Sequence, residues 1–138
     1  MSPPGFDPAV DETIASSLQA PGLARRAVQA IAAHVTPGVL RDAQLLISEV
    51  VTNSIRHSGS DDPIRLRVWT RSNGVKVEIA DGGVGFDTRS VGARDEDEGG
   101  RGLMIVDAIA DRWGVSHGAR ARVWFELSPR PASRAETG

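Results

Sequence analysis

Two runs of strict alternation constrain this chain more than any other feature. Ile64, Leu66, Val68 and Thr70 alternate with Arg65, Arg67, Trp69 and Arg71, and Val75, Val77 and Ile79 alternate with Lys76, Glu78 and Ala80. Between the runs, Ser72-Asn73-Gly74 supplies hairpin chemistry. Period two with one apolar face describes antiparallel strands that are covered on one side and solvated on the other. Extending the parity puts Asp81 on the covered side, where the cover must meet a carboxylate.

The segment available as cover runs from about Val39 to His57 and has helical spacing. Its second half, Leu45-Leu46-Ile47-Ser48-Glu49-Val50-Val51-Thr52-Asn53-Ser54-Ile55-Arg56-His57, is mostly apolar but carries Glu49 and Asn53. Residues four apart share a helix face, about 6 Å apart along the axis. Burying such groups without partners costs about 1–3 kcal/mol each. Either other protein groups supply those partners or a ligand does. Asp81 is aimed at the same crevice.

The remaining chain reads in order. Residues 1–11, with three prolines and a glycine, read as a loose arm, and Glu12 to Ala20 as a first strand with Ile14 and Leu18 as its apolar positions. Leu23 to His34 has helical spacing, Thr36-Pro37-Gly38 punctuates, and residues 58–63 have loop chemistry. Residues 82–102 are glycine-rich and acidic, too long for a simple turn. Leu103 to Asp111 returns to helix, Arg112 to Ser116 and Arg122 to Ser128 read as strands, and 129–138 as a disordered tail. One domain over 12–128 is expected.

Composition narrows the function classes. A net charge of -2 argues against non-specific nucleic-acid binding. Without cysteine there is no disulfide framework, thiolate nucleophile or Cys zinc site. No signal peptide is visible and no apolar run approaches a membrane span, so a cytoplasmic protein is expected. Arginine outnumbers lysine, of which Lys76 is the only one, a bias that reports base composition.

Two glycine clusters carry the remaining chemistry. Asp81-Gly82-Gly83-Val84-Gly85 reads either as a strand-end turn or as close backbone approach to a ligand, with Asp81 accepting from an amino group. Gly99-Gly100-Arg101-Gly102-Leu103 reads either as a linker into a helix or as an anion site, where backbone N–H groups, the helix dipole and the Arg101 guanidinium meet phosphate oxygens. In an apolar setting Glu49 suits a general base. The Asn53 carbonyl oxygen suits Mg²⁺ beside phosphate oxygens. His57 fits a helix C-terminus, and Asp95-Glu96-Asp97-Glu98 a solvated face. The P-loop, the dinucleotide fingerprint and the protein-kinase signatures are absent.

Taken in order, Glu49-x-x-x-Asn53 resembles the N-box of the GHKL ATPases, Asp81-x-Gly83-x-Gly85-Phe86 their G1 box, and Gly100-Arg101-Gly102-Leu103 their G2 box. The wider context, LLISEVVTNSIRHSG, DGGVGFD, GGRGLMIVDAIADRWGV and VWFEL, is similar to the RsbW/SpoIIAB-like anti-sigma-factor serine kinases, and most to the small single-domain versions of actinomycetes. The likeness covers residues 15–128.

The resemblance implies a Bergerat-type α/β sandwich, a mixed and mostly antiparallel sheet with helices on one face, holding ATP and Mg²⁺. By position, Asp81 would bind the adenine amino group, Gly83 and Gly85 would shape the pocket, and Asn53 would hold Mg²⁺. Gly100, Arg101, Gly102 and Leu103 would form the phosphate site, residues 86–98 the lid, and Glu49 would deprotonate a serine on a partner. It implies as partners a STAS-domain anti-anti-sigma factor, which receives the phosphate, and a sigma factor. It also leaves room for a homodimer.

One position departs from the family pattern. A threonine often precedes the final strand and faces the adenine; Gly118-Ala119-Arg120-Ala121-Arg122 has none, and parity puts Ala121 inward. That departure motivates an alternative, a nucleotide-binding regulatory module without useful catalysis. A histidine-kinase ATP-binding domain acting in trans is a third reading, disfavoured because no helix pair bearing a phosphoacceptor histidine is visible. Trp69 and Trp124 take the outward parity and are expected either at an interface or under the amino-terminal arm.

Overall fold

The computed structural model describes residues 2–57, 61–81, 98–116 and 121–129. Five strands, β1 (Asp7–Ile14), β2 (Ile64–Arg71), β3 (Gly74–Asp81), β4 (Arg112–Ser116) and β5 (Ala121–Leu127), form one sheet in the order β1-β2-β3-β5-β4. Every neighbouring pair of these strands is antiparallel, in keeping with the mostly antiparallel sheet expected from the resemblance, and an isolated parallel bridge joins Val35 to Asn73 outside them. Among the described residues, three helices, α1 (Ala20–Val28), α2 (Pro37–His57) and α3 (Glu98–Ile109), accompany it, with a 3-10 turn Gln29–Ile31 after α1.

The alternation of β2 and β3 sets which face is covered. Leu66 pairs with Ile79 and Val68 with Val77, and β5 continues these rows with Val123 and Phe125. All six side chains are buried, together with Ala43, Leu46, Ile47, Val50 and Val51 from α2. The apolar stripe of the helix and the apolar face of the sheet therefore bury each other.

At the hairpin, Ser72 and Asn73 both adopt positive φ, 41° and 70°. This is the twist that a two-residue loop needs between right-handed strands. Gly74 serves another purpose: a Cβ there would lie 3.1 Å from the Arg71 carbonyl oxygen and 3.2 Å from that of Leu127. A side chain there would need the two carbonyls to give way by a few tenths of an ångström.

The first strand differs from the sequence reading. It occupies Asp7–Ile14 instead of Glu12 to Ala20, so part of the expected arm belongs to the sheet. Leu18 lies outside the strand and is 89% exposed. The physical reason is position: β1 is an edge strand paired only with β2, its register slips between Pro8 and Val10, and only Ile14 is buried. Such a strand carries no apolar alternation, and its proline and bulge are common edge devices.

Of the two places expected for the tryptophans, the amino-terminal arm accounts for one: Pro8 is the register partner of Trp69 between β1 and β2. Trp69 is buried and Trp124 half-buried, although both take the outward parity. The Arg67 guanidinium lies 5.3 Å from the centroid of the Trp69 ring, and the Lys76 ammonium 4.5 Å from that of Trp124. Ion pairs of Arg67 with Glu78 and of Lys76 with Glu126 hold those cations in place. Neighbouring long side chains and Gly114, against which Trp124 packs, cover the rings.

Candidate functional site

The site begins with how α2 is set. Thr36 Oγ1 accepts a hydrogen bond from the Val39 amide at 3.2 Å, and Pro37 opens the helix, a capping arrangement that fixes its start. Val39, Ala43, Leu46, Ile47, Val50 and Val51 then lock its rotation by burial. With that rotation fixed, Asn53 and Ser54 are carried into the interior while Arg56 is exposed.

Asp81 is the last residue of β3 and is 2% exposed. Ser54 Oγ donates to its Oδ2 at 2.6 Å, joining α2 to the end of the central strand. The sequence thus placed Asp81 on the correct face, and the structure brings it against the helix that carries Asn53. Across the sheet, Ala121 is the register partner of Asp81 and is also buried.

Asn53 is buried, and its Oδ1 has no hydrogen-bond partner among the described residues. A buried carbonyl oxygen in that state calls for a partner from outside these residues, a water, a ligand or a cation. Glu49, one turn earlier, is half-buried and makes no hydrogen bond or ion pair among the described residues. The two polar groups of the helix interior are therefore not matched to one another or to the sheet.

Leu103 is buried at 1% in the core between α3 and the rest of the domain. Gly100, Arg101 and Gly102 are the third to fifth residues of α3; the first four N–H groups of a helix lack internal acceptors, so Gly100 and Arg101 fall within that set, while Gly102 has the Glu98 carbonyl four residues before it. The side chain of Arg101, like Gly83, Gly85 and the bulk of residues 86–98, lies outside the described residues.

Ser54 is the site residue that sequence reading missed. A signal was present: it follows Asn53 directly and lies three and four residues beyond Val51 and Val50, on the buried stripe. A hydroxyl there, facing a strand end with an inward carboxylate, has an obvious partner.

Among the described residues no group of three or more His, Asp or Glu side chains could hold a metal ion, and no helix is long and apolar enough to cross a membrane. The Asn53 oxygen fits a cation whose other ligands come from a polyanion and water, since a neutral carbonyl oxygen is an ordinary Mg²⁺ ligand.

Comparison with known proteins bears on this geometry. The family model described as "Histidine kinase-like ATPase domain" matches residues 14–126. A solved histidine kinase domain, from the Erythrobacter litoralis EL346 blue-light activated histidine kinase, is 25% identical, with a TM-score of 0.49. The match covers 72% of this chain and 47% of that one, so the chain spans about half the length of that domain. The curated proteins give no match.

Proposed function

The chain belongs to the histidine kinase-like ATPase domain family, and on that premise we propose that it binds ATP with Mg²⁺ and acts as a protein serine kinase. The proposed acceptor is a STAS-type anti-anti-sigma factor, with a sigma factor as the partner it sequesters. The observation that carries the nucleotide reading is Asn53, whose buried Oδ1 has no partner of its own among the described residues. Mg²⁺ bound with the triphosphate supplies charge neutralisation for phosphoryl transfer. Asn53 holds that cation through Oδ1. Asp81 accepts a hydrogen bond from the amino group of the base, with Gly83 and Gly85 shaping the pocket around it. Gly100 and Arg101 donate to phosphate oxygens at the start of α3, and Gly102, without a side chain, lets the phosphates approach the helix closely. The Glu49 carboxylate takes the proton of the partner's serine hydroxyl as its oxygen attacks the terminal phosphorus and ADP leaves. Phosphoserine adds a charge of about -1.5 to -2 to the partner, enough to break a complementary interface.

The serine-kinase and partner assignments are supported by the likeness of the LLISEVVTNSIRHSG and GGRGLMIVDAIADRWGV segments to anti-sigma-factor kinases. Incubation with labelled ATP and the cognate STAS protein tests them. The expected result is transfer to a serine, lowered about 100-fold or more in Glu49→Ala, the usual effect of removing a general base. No transfer by the wild type, where ATP binds, sinks the kinase reading.

A regulatory module without useful catalysis is the second reading, favoured by the methyl group of Ala121 where a hydroxyl would face the base. Partner binding by both wild type and Glu49→Ala, with transfer by neither, selects it.

A further inference from the structure

The sheet face opposite α2 carries a row of side chains that the proposed kinase chemistry does not involve. Thr13, Arg65, Ala80 and Arg122 are register partners in turn across β1, β2, β3 and β5. Ala80 therefore points outward between two arginines, while Asp81, the next residue, points inward. Despite facing outward Ala80 is only 6% exposed, because the long side chains beside it stand over its methyl group. Around it lies a pit of about 200 Å³, lined by Arg65, Arg67 and Arg122 against a single carboxylate, Glu78. We propose that this pit binds a phosphate group, on the face of the sheet away from the nucleotide site and independently of it.

The charges at the pit do not cancel. Glu78 engages Arg67, and Asp11 takes Nε and Nη2 of Arg65. A guanidinium has five donors, so Nη1 of Arg65 remains for another acceptor. Arg122 is exposed and makes no hydrogen bond or ion pair among the described residues. One cation is thus left over at this place, in a chain whose net charge is -2. Neighbouring strands lie about 4.8 Å apart, so Arg65 and Arg122 start about 10 Å from each other, a span that two arginine side chains close from either side. The short Ala80 side chain leaves the space between them open. An oxyanion seated there accepts from both forks, whose planar geometry suits phosphate oxygens. Size limits the ligand. Pockets for drug-sized molecules span about 300–1,000 Å³, whereas about 200 Å³ suits a phosphate group and a few waters of about 30 Å³ each.

Amide-resolved NMR titration with sodium phosphate near neutral pH, at an ionic strength held constant with sodium chloride, tests this. Wild type is expected to show saturable shifts centred on Arg65, Ala80 and Arg122, in the millimolar range. Arg122→Ala is expected to bind at least about tenfold more weakly, as loss of a charge-assisted hydrogen bond does. Arg122→Lys, a point charge without the fork, is expected to fall between them. Ala80→Glu places a tethered carboxylate between the arginines and is expected to abolish the shifts. Arg25→Ala removes the same charge from α1 and is expected to leave the affinity unchanged. O-phosphoserine as a second probe separates the sources: shifts with phosphate alone assign the pit to the free ion, and equal shifts with both extend it to phosphomonoesters. Equal affinity in wild type and folded Arg122→Ala overturns the proposal. So do equal weakening by Arg25→Ala, shifts confined to the start of α3, or the same shifts produced by chloride alone.

Discussion

Asp81 and Ala121 stand directly opposite each other on β3 and β5, 2% and 3% exposed. Side chains at paired positions have Cβ atoms about 4.5–5.5 Å apart, so whatever residue 121 carries is a neighbour of the carboxylate. Ala121→Thr places a hydroxyl beside the base site. We expect ATP affinity to rise about 2- to 10-fold by calorimetry, the usual yield of one added hydrogen bond. The added bulk is expected to lower stability by about 1–3 kcal/mol, the common cost of overfilling a packed position. Unchanged or weaker ATP binding would separate residue 121 from the base.

Gly114→Ala tests the outer face. A Cβ at this position would lie 2.7 Å from Trp124 Nε1, so the indole must leave its place over β4. The expected cost is about 1–3 kcal/mol, measured as a lower urea midpoint, with a change in tryptophan fluorescence. A midpoint equal to wild type would show that the ring is not held against the strand.

Thr36→Ala removes the acceptor for the Val39 amide and with it the side-chain cap of α2. The expected loss is about 1 kcal/mol in urea unfolding, and Thr36→Ser should recover most of it.

The Asp11–Arg65 pair gives a pH signature. Arg65 Nε and Nη2 donate to the two Asp11 oxygens at 2.9 and 2.8 Å, and this hydrogen bonding holds the Asp11 carboxyl below its ordinary 3.8. A folded-state pKa below the unfolded value contributes stability above the unfolded value, and that contribution is lost as pH falls through the folded one. Asp11→Asn is therefore less stable than wild type at pH 7, and the difference vanishes once the pH is well below 3.8. Both side chains are about half exposed, so the difference is small and shrinks in high salt. Urea midpoints of the two proteins at neutral and acidic pH, at low and high salt, measure it.

What the sequence revealed and what it hid divide along physical lines. Where one face of an element is buried, periodicity is explicit. The β2–β3 hairpin, the inward placement of Asp81 and Ala121, and the span of α2 to within two residues all follow from it. Edge strand β1 has a single buried residue, so its ladder with β2 left no pattern to read. Trp69 is outward by parity yet buried, with Pro8 opposite it on β1 and Arg67 of its own strand over the ring. Parity reports direction and not depth. Ser54 was hidden because a serine within a buried helix is ordinary until the carboxylate on the facing strand end is placed beside it. Glu49 and Asn53 were legible from the start as polar groups on an apolar helix. The structure adds that the Asn53 oxygen is buried without a partner among the described residues.

The most direct test is calorimetric titration of ATP, with and without Mg²⁺, into wild type and Asn53→Ala. Wild type is expected to bind ATP more tightly with Mg²⁺ than without it. Asn53→Ala is expected to lose at least about tenfold of the Mg²⁺-supported affinity, as removal of a hydrogen-bonded or ligating group to a charged partner does. Absence of ATP binding by folded wild type in Mg²⁺, or equal Mg²⁺-supported affinity in the two proteins, would contradict the account.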